Sequence, residues 1–358
     1  RVVAAARERT IETGAKRQAR DRECAESRSA PTFGGFVVSL DFELIWGIRD
    51  RVTDPDVVED LVRGARQAIP LLLDLFEEFG IRATWATVGM LFAATREELM
   101  HSHPGLKPEY VESRLSPYSD LIGADEAEDP LHFGASIIAE IQRRSGQEIG
   151  THTYSHYYCQ EKGANAASFE ADIQAALSMA ARRGVELSSI VFPRNQYRAS
   201  FTDILRKHGI NCYRGSERAW FHHAVRSDRT RIFHRSARAL DYYLNVSGSN
   251  TVAWDSLIDE QGLCNVSSSR FLRPYSPSRK HFEPVRLRRI TKAINEAARA
   301  RRIFHLWWHP HNFGRNTEEN LGFLRKVFQE VERLRDREGL RSFSMNDVAG
   351  LVQERFQR

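Results

Sequence analysis

The sequence predicts an α/β fold, a distorted or incomplete (β/α) barrel, on three observations. Short apolar strands alternate with amphipathic helical segments over most of the chain. No internal repeat and no Pro/Gly/Ser-rich linker divides residues 31–358, which reads as one catalytic domain. The length of 358 residues suits a single barrel-sized unit preceded by an arm. A hydrophobic content of 41% supplies a large core and excludes a disordered chain. No run approaches the roughly 18 apolar residues of a membrane helix.

The elements follow in order. Residues 1–30 form a basic N-terminal arm, poorly ordered or helical: its first 28 residues carry eight Lys/Arg against five acids and few large apolar side chains. Phe36–Leu40, behind Gly34 and Gly35, is a buried strand. Val57–Phe79 is a helix in which Pro70 starts or kinks a turn. Ile81–Val88 is a strand rich in β-branched and aromatic residues. Residues 97–131, with His101, His103, Pro104, Pro117 and Pro130, read as an insertion of loops and short helices. Phe133–Arg144 is a helix that passes through Gly146 into a short strand, Glu148–Gly150. Phe169–Arg183 is a helix ended near Gly184, Ser189–Phe192 a strand closed by Pro193, Phe201–His208 a helix and Ile210–Tyr213 a strand. Residues 214–280 carry no clear period. Leu287, Ile290, Ile294 and Ala298 then recur at helical spacing, Ile303–Trp308 is a strongly apolar strand, and Asn320–Arg337 closes the chain as an amphipathic helix.

The net charge of +5 invites a polyanion partner, so its location matters. The arm accounts for +3 of it. The helical stretch 279–302 holds nine Lys/Arg and two acids, and its basic face is a candidate for peripheral contact with an anionic membrane surface. Neither stretch interleaves aromatics with basic residues as a stacking platform would, so no nucleic-acid partner is expected. Cys24, Cys159, Cys212 and Cys264 are widely spaced and make neither a disulfide framework nor a CxxC zinc site. Cys159, three residues past His156, reads as a small buried residue. The chain opens on Arg1 rather than Met, which leaves a leader ahead of it open. The expected location is cytoplasmic.

In such folds chemistry gathers at the C-terminal ends of the strands. The first strand ends in Ser-Leu-Asp41-Phe-Glu43, two carboxylates on one face of an extended chain, which repel unless a cation or proton lies between them. The segment His152-Thr-Tyr-Ser-His156 places two imidazoles at i and i+4, on one face of a helical turn, where they can share a metal ion. It lacks the Glu of HExxH proteases. The last strand runs into His309-Pro-His311-Asn312, whereas His305 lies inside the apolar run and reads as a hydrogen-bonded core histidine. The middle strand ends in Phe192-Pro-Arg194-Asn-Gln-Tyr197, whose Arg194 can hold a carboxylate by a bidentate pair. Together these parts suit metal-assisted hydrolysis of an acyl or amide bond.

The ordered motifs SLDFE, ATWATVG, HTYSH, FPRNQY and LWWHPHNF, over residues 39–313, resemble those of the polysaccharide deacetylases, carbohydrate esterase family four. The resemblance is closest to deacetylase-like proteins of bacterial surface-polysaccharide biosynthesis, and it is weakest over 214–280. It implies a barrel that removes N-acetyl groups from an N-acetylated sugar or glycan with a divalent metal, zinc being the expected ion. By residue, it implies Asp41 as catalytic base, Glu43, His152 and His156 as metal ligands, Arg194 as the residue orienting the base, and His309 as general acid with His311 as runner-up. A backbone N–H near Tyr197 would stabilise the oxyanion, and Trp46, Tyr197 and His311 would touch substrate. Tyr154, Tyr157, Trp307 and Trp308 flank the motifs and read as core more readily than as sugar platforms. The family's adjacent acid pair is replaced by acid-x-acid. Its Asp that orients the last histidine has no clear counterpart, Glu217 and Asp255 being candidates. Two other readings stay open on the same residues: an amide hydrolase for formyl or ureide C–N bonds, and a non-catalytic glycan-binding protein.

Overall fold

The computed structural model describes residues 30–216 and 248–356, so the arm up to residue 29 and Glu217 lie outside the described residues. The centre of the fold is strand β1 (Gly35–Phe42), buried along its whole length. It is followed in the chain by β2 (Ala83–Thr87), β3 (Gln147–Thr151), β4 (Ser189–Ile190), β5 (Cys212–Tyr213), β6 (Cys264–Asn265), β7 (Arg270–Phe271), β8 (Ile303–Trp308) and β9 (Arg341–Phe343). Eight of them lie in the order β6-β5-β4-β3-β2-β1-β8-β7, and every pairing is parallel. β9 sits beside Gly35–Val37, the part of β1 that β2, starting opposite Val38, leaves uncovered.

The two edge strands are close in sequence, and this bends the sheet round on itself. Val266 donates its N–H to Tyr213 O and Ser268 to Gly215 O, both at 2.9 Å, on the β5 side. Ser269 then donates to His305 O and Leu272 to Trp307 O, both at 2.8 Å, on the β8 side. One segment thus bonds to both edges in turn, and the sheet forms the distorted (β/α) barrel that the alternation predicts. The segment lies in the stretch without a period because its strands are two residues long and buried serines, Ser267 to Ser269, join them.

The helices are α1 (Pro55–Glu78), α2 (Arg96–His101), α3 (Ala135–Arg143), α4 (Ala166–Arg182), α5 (Thr202–Lys207), α6 (Glu283–Arg299), α7 (Thr317–Glu338) and α8 (Met345–Phe356). α1 starts where Asp54 accepts the Asp56 N–H at 3.1 Å and Pro55 takes the first helical position. It runs on through Pro70 rather than stopping there. The proline costs one backbone bond, and buried Ile69, Leu72, Leu73 and Phe76 hold both halves to the core. α6 is the basic helix, but Arg286 and Arg289 turn inward. Arg286 lies 3.7 Å over the Phe323 ring and donates to Arg273 O at 2.9 Å. Fewer cationic groups are therefore left for an anionic surface than the sequence count suggests. Among the described residues no helix is long and apolar enough to cross a membrane. Cys159, Cys212 and Cys264 are buried and free, and burial pushes the Cys264 thiol up to about 12.

Candidate active site

Parallel strands deliver their C-terminal ends to one side of the sheet. A cavity of about 300 Å³ opens there, lined by Asp41, Glu43, His152, His156, Asn195 and His309, with Arg51, Arg194, Trp307 and His311 at its wall. The fold therefore brings together most of the residues that the sequence analysis singled out.

The two carboxylates meet different partners. Asp41, on β1, is gripped by both terminal nitrogens of Arg214: Nη1 donates to Oδ1 at 2.6 Å and Nη2 to Oδ2 at 2.8 Å. This fork-to-fork pair is buried on both sides. Arg214 also donates to Ser39 Oγ at 3.0 Å and Asn195 Oδ1 at 3.2 Å, and its guanidinium lies 4.0 Å over the Trp307 ring. Burial alone would raise the Asp41 carboxyl. The charges of Arg214, His152 and His309 outweigh it and set the group below its ordinary value.

Glu43 instead faces histidines. Its Oε2 is 3.5 Å from His152 Nε2 and 3.3 Å from His156 Nε2, while Oε1 is 3.7 Å from His309 Nε2 and 4.0 Å from His311 Nδ1. Burial pushes this carboxyl up, but His309, His152 and His156 more than offset that and hold it well below the usual range. Burial keeps the His156 ring below its ordinary value against the pull of Glu43, and it takes His311 down to about 4, with His309 adding to the effect. His309 Nε2 is also 3.6 Å from Asp41 Oδ2, so this imidazole touches both carboxylates.

Glu43, His152 and His156 offer ligand atoms that all lie within 4.8 Å of one another, and all three residues are buried. His152 Nδ1 bonds Val191 O at 2.7 Å, which fixes the tautomer and leaves Nε2 for Glu43 or a cation. His156 Nδ1 is buried without a hydrogen-bond partner among the described residues. Two nitrogens and one carboxylate suit a divalent transition ion with an open coordination position.

The segment carrying the histidines is not a helical turn. Residues 152–158 form a loop in which Thr153 (φ 64°) and His156 (φ 56°) are left-handed. The i,i+4 spacing still works because the chain doubles back: the two imidazole rings are 5.0 Å apart. Thr153 Oγ1 accepts the Tyr157 N–H at 2.7 Å. Asp172, fully buried on α4, accepts the Tyr154 N–H at 2.7 Å and the Ser155 N–H at 3.2 Å, and it also takes the Ser155 hydroxyl. Burial pushes the Asp172 carboxyl up to about 7 against the pull of these three donors.

Four expectations need correction. Arg194 does not orient Asp41: its left-handed backbone (φ 55°) directs it to an ion pair with Asp50 and over the Tyr158 ring at 4.2 Å. Arg214, from the end of β5, holds Asp41 instead. Trp46 does not reach the cavity, because the chain leaves β1 through Leu44 (φ 43°) into a 3-10 turn that buries the indole, whose Nε1 donates to His132 O at 3.0 Å. Tyr197 stacks on Tyr213 at 4.8 Å, outside the cavity, and its N–H is already bonded to Asn195 O at 3.0 Å, so it is not free for an oxyanion. Asp255 is exposed in a 3-10 turn and does not line the cavity. Arg214, Asn195 and Asp172 carried no assigned role in the sequence. Arg214 shares one signal with the other site residues, its position directly after a strand.

These features define a (β/α)-barrel protein with a polar centre at the strand ends, and the comparisons agree. A family model described as polysaccharide deacetylase matches residues 59–213. A putative polysaccharide deacetylase from Mycobacterium smegmatis has the same fold with a TM-score of 0.56, at 15% identity over 91% of this chain and 92% of that one. A probable polysaccharide deacetylase from Pseudomonas aeruginosa gives 0.51 at 11% identity, over 90% and 92%. Puue allantoinase gives 0.51 at 12% identity, over 93% and 94%. No curated protein sequence matches.

Proposed function

We propose that the chain is a metal-dependent hydrolase that removes the N-acetyl group of an amino sugar or glycan intermediate. The observation that carries this reading is the buried Glu43, His152 and His156 cluster beside the Asp41–Arg214 pair, with His309 in contact with both carboxylates. Glu43, His152 and His156 would hold the ion, zinc suiting two nitrogens and one oxygen, and when bound it supplies Lewis acidity to a water and to the acyl carbonyl.

The remaining roles belong to the chain. Arg214 keeps Asp41 ionised and aligned, so the carboxylate accepts a proton from the attacking water. His309, in its protonated form, delivers a proton through Nε2 to the departing amine nitrogen as the C–N bond breaks, giving acetate and the free amine. Trp307, on the cavity wall and packed against Arg214, supplies an aromatic face for a sugar ring. Cytoplasmic action on such an intermediate is the location we favour.

The test couples elemental analysis of purified protein to acetate release from N-acetylated sugars, sugar nucleotides and lipid-linked glycans. One bound divalent ion per chain and acetate from at least one class are expected. Asp41→Asn should keep the ion and lose turnover, whereas His152→Ala with His156→Ala should lose the ion. Stoichiometric metal in the double variant would remove the assigned ligands. Formyl sugars and ureides belong in the same panel, because the fold is shared with an allantoinase and does not by itself select the bond cleaved; turnover of those alone would overturn the acetyl assignment.

A further inference from the structure

We propose that Asp172 is the positioning residue of the metal-binding loop, clamping the peptide between the two histidines so that their rings converge on Glu43. The inference rests on the reading of Glu43, His152 and His156 as metal ligands.

A regular helical turn would set two imidazoles at i and i+4 through its own backbone bonds. This loop has none to do so. It leaves β3 at His152, passes through left-handed Thr153 and reaches left-handed His156, and left-handed conformations are costly for residues with a side chain. Between them the Tyr154 and Ser155 N–H groups are buried and point away from any strand or helix ladder. Both are taken by Asp172, Tyr154 by Oδ1 and Ser155 by Oδ2, and Oδ2 also accepts the Ser155 hydroxyl. The carboxylate therefore fills three of its acceptor positions with groups lying inside the HTYSH segment itself. Its own position is set by α4, with Phe169, Ile173, Ala175 and Ala176 buried around it.

The other contacts of the loop leave little alternative. Tyr154 and Thr153 carbonyls accept from Met90 and Gly89 at 3.0 and 2.8 Å, fixing the outer side against the turn after β2. Gly89 is tight against this loop: a Cβ there would meet Tyr154 Cα at 2.7 Å. The Thr153 and Tyr154 carbonyls are thus held by one element, and the Tyr154 and Ser155 N–H groups by Asp172. An acceptor-only group is needed. An Asn at this position would turn an amide donor towards at least one of the three donors it must satisfy.

The test compares metal affinity with folding. Metal-free full-length wild type and Asp172→Asn are titrated with zinc chloride by chelator competition and with cobalt(II) by its visible absorption bands, while circular dichroism and thermal unfolding of the metal-free chains are recorded. Expected is a loss of zinc affinity of about 10- to 100-fold, the size seen when partners behind metal ligands are removed. The variant's cobalt bands should weaken and shift, with the metal-free circular dichroism unchanged. Wild-type affinity and bands in Asp172→Asn overturn the clamp and leave the metal centre standing. A wild type that takes up no metal overturns both. If Asp172→Asn does not fold, Ser155→Ala decides: it removes one of the three donors and should weaken zinc binding several-fold, and an unchanged constant overturns the proposal.

Discussion

Asp41 and Glu43 are two residues apart and meet different surroundings, an arginine fork for one and four imidazoles for the other. That difference, rather than their shared strand end, is what divides their chemistry. The grip on Asp41 depends on guanidinium shape as well as charge, since a lysine keeps the charge but loses the fork. Arg214→Lys should lower kcat/KM by about 100-fold, the order expected when a reacting group is displaced by about 1 Å. Arg194→Lys should cost much less, because Arg194 is held by Asp50. Steady-state kinetics of the two variants on one substrate separate them; equal losses would remove Arg214 from its role. At this scale the sequence placed Asp41, Glu43, His152, His156 and His309 at strand ends, and the fold gathers them into one cavity. Arg214 follows a strand that the sequence does show, but its role was not legible because its partners Asp41 and Asn195 come from other strand ends, 173 and 19 residues away. Trp46 was misplaced because nothing in its own neighbourhood announces the turn at Leu44.

At the scale of elements, the long strands and helices were readable from their periodicity, whereas the connections were not. The HTYSH segment has helical spacing and a loop structure, since its contacts are made to α4 and to the turn after β2 rather than to itself. A similar long-range contact fixes the last motif. Gly64, inside α1, approaches Gly314 so closely that a Cβ would lie 2.7 Å from its Cα. Gly314 closes the 3-10 turn Pro310–Phe313 that carries His311 and follows His309. Helix propensity alone says that Gly64→Ala should stabilise by up to about 1 kcal/mol. Overpacking between two backbones says that it should destabilise by about 1–3 kcal/mol, and with neither backbone free to give way the second effect wins. A lower thermal midpoint and reduced turnover are expected for Gly64→Ala. A midpoint at or above wild type would mean that α1 and the turn can separate without cost.

Across the whole molecule, the barrel interior is tied together by one polar chain that ends at the site. His305 Nδ1 bonds Val266 O and Nε2 bonds Ser39 Oγ, each at 2.8 Å, and Ser39 Oγ accepts from Arg214, which grips Asp41. Val266 belongs to the segment that closes the barrel, so closure and site alignment share the same histidine. His305 is fully buried, and burial, with Arg214 nearby, takes its pKa down from 6.5 to about 3. The sign of the consequence follows from proton counts. Between those two values the unfolded chain carries a proton on this ring that the folded chain refuses, so folding stability falls as pH drops through the window and is unaffected above it. The slope due to this one group is about 1.4 kcal/mol per pH unit in the middle of the window. Asp172, raised to about 7, acts with the opposite sign over part of the same range, and the acids lowered by their partners contribute at its lower edge. All of these are present in both wild type and His305→Gln, so the difference between the two chains isolates the histidine. Urea unfolding of the metal-free proteins from about pH 4 to 7 should show the variant less stable near neutrality, where it has lost a hydrogen-bonded partner, but with the gap narrowing by about 1.4 kcal/mol for each unit towards acid. Parallel curves would mean that His305 takes up a proton while still folded, and that the chain from Val266 to Asp41 rearranges to accept it.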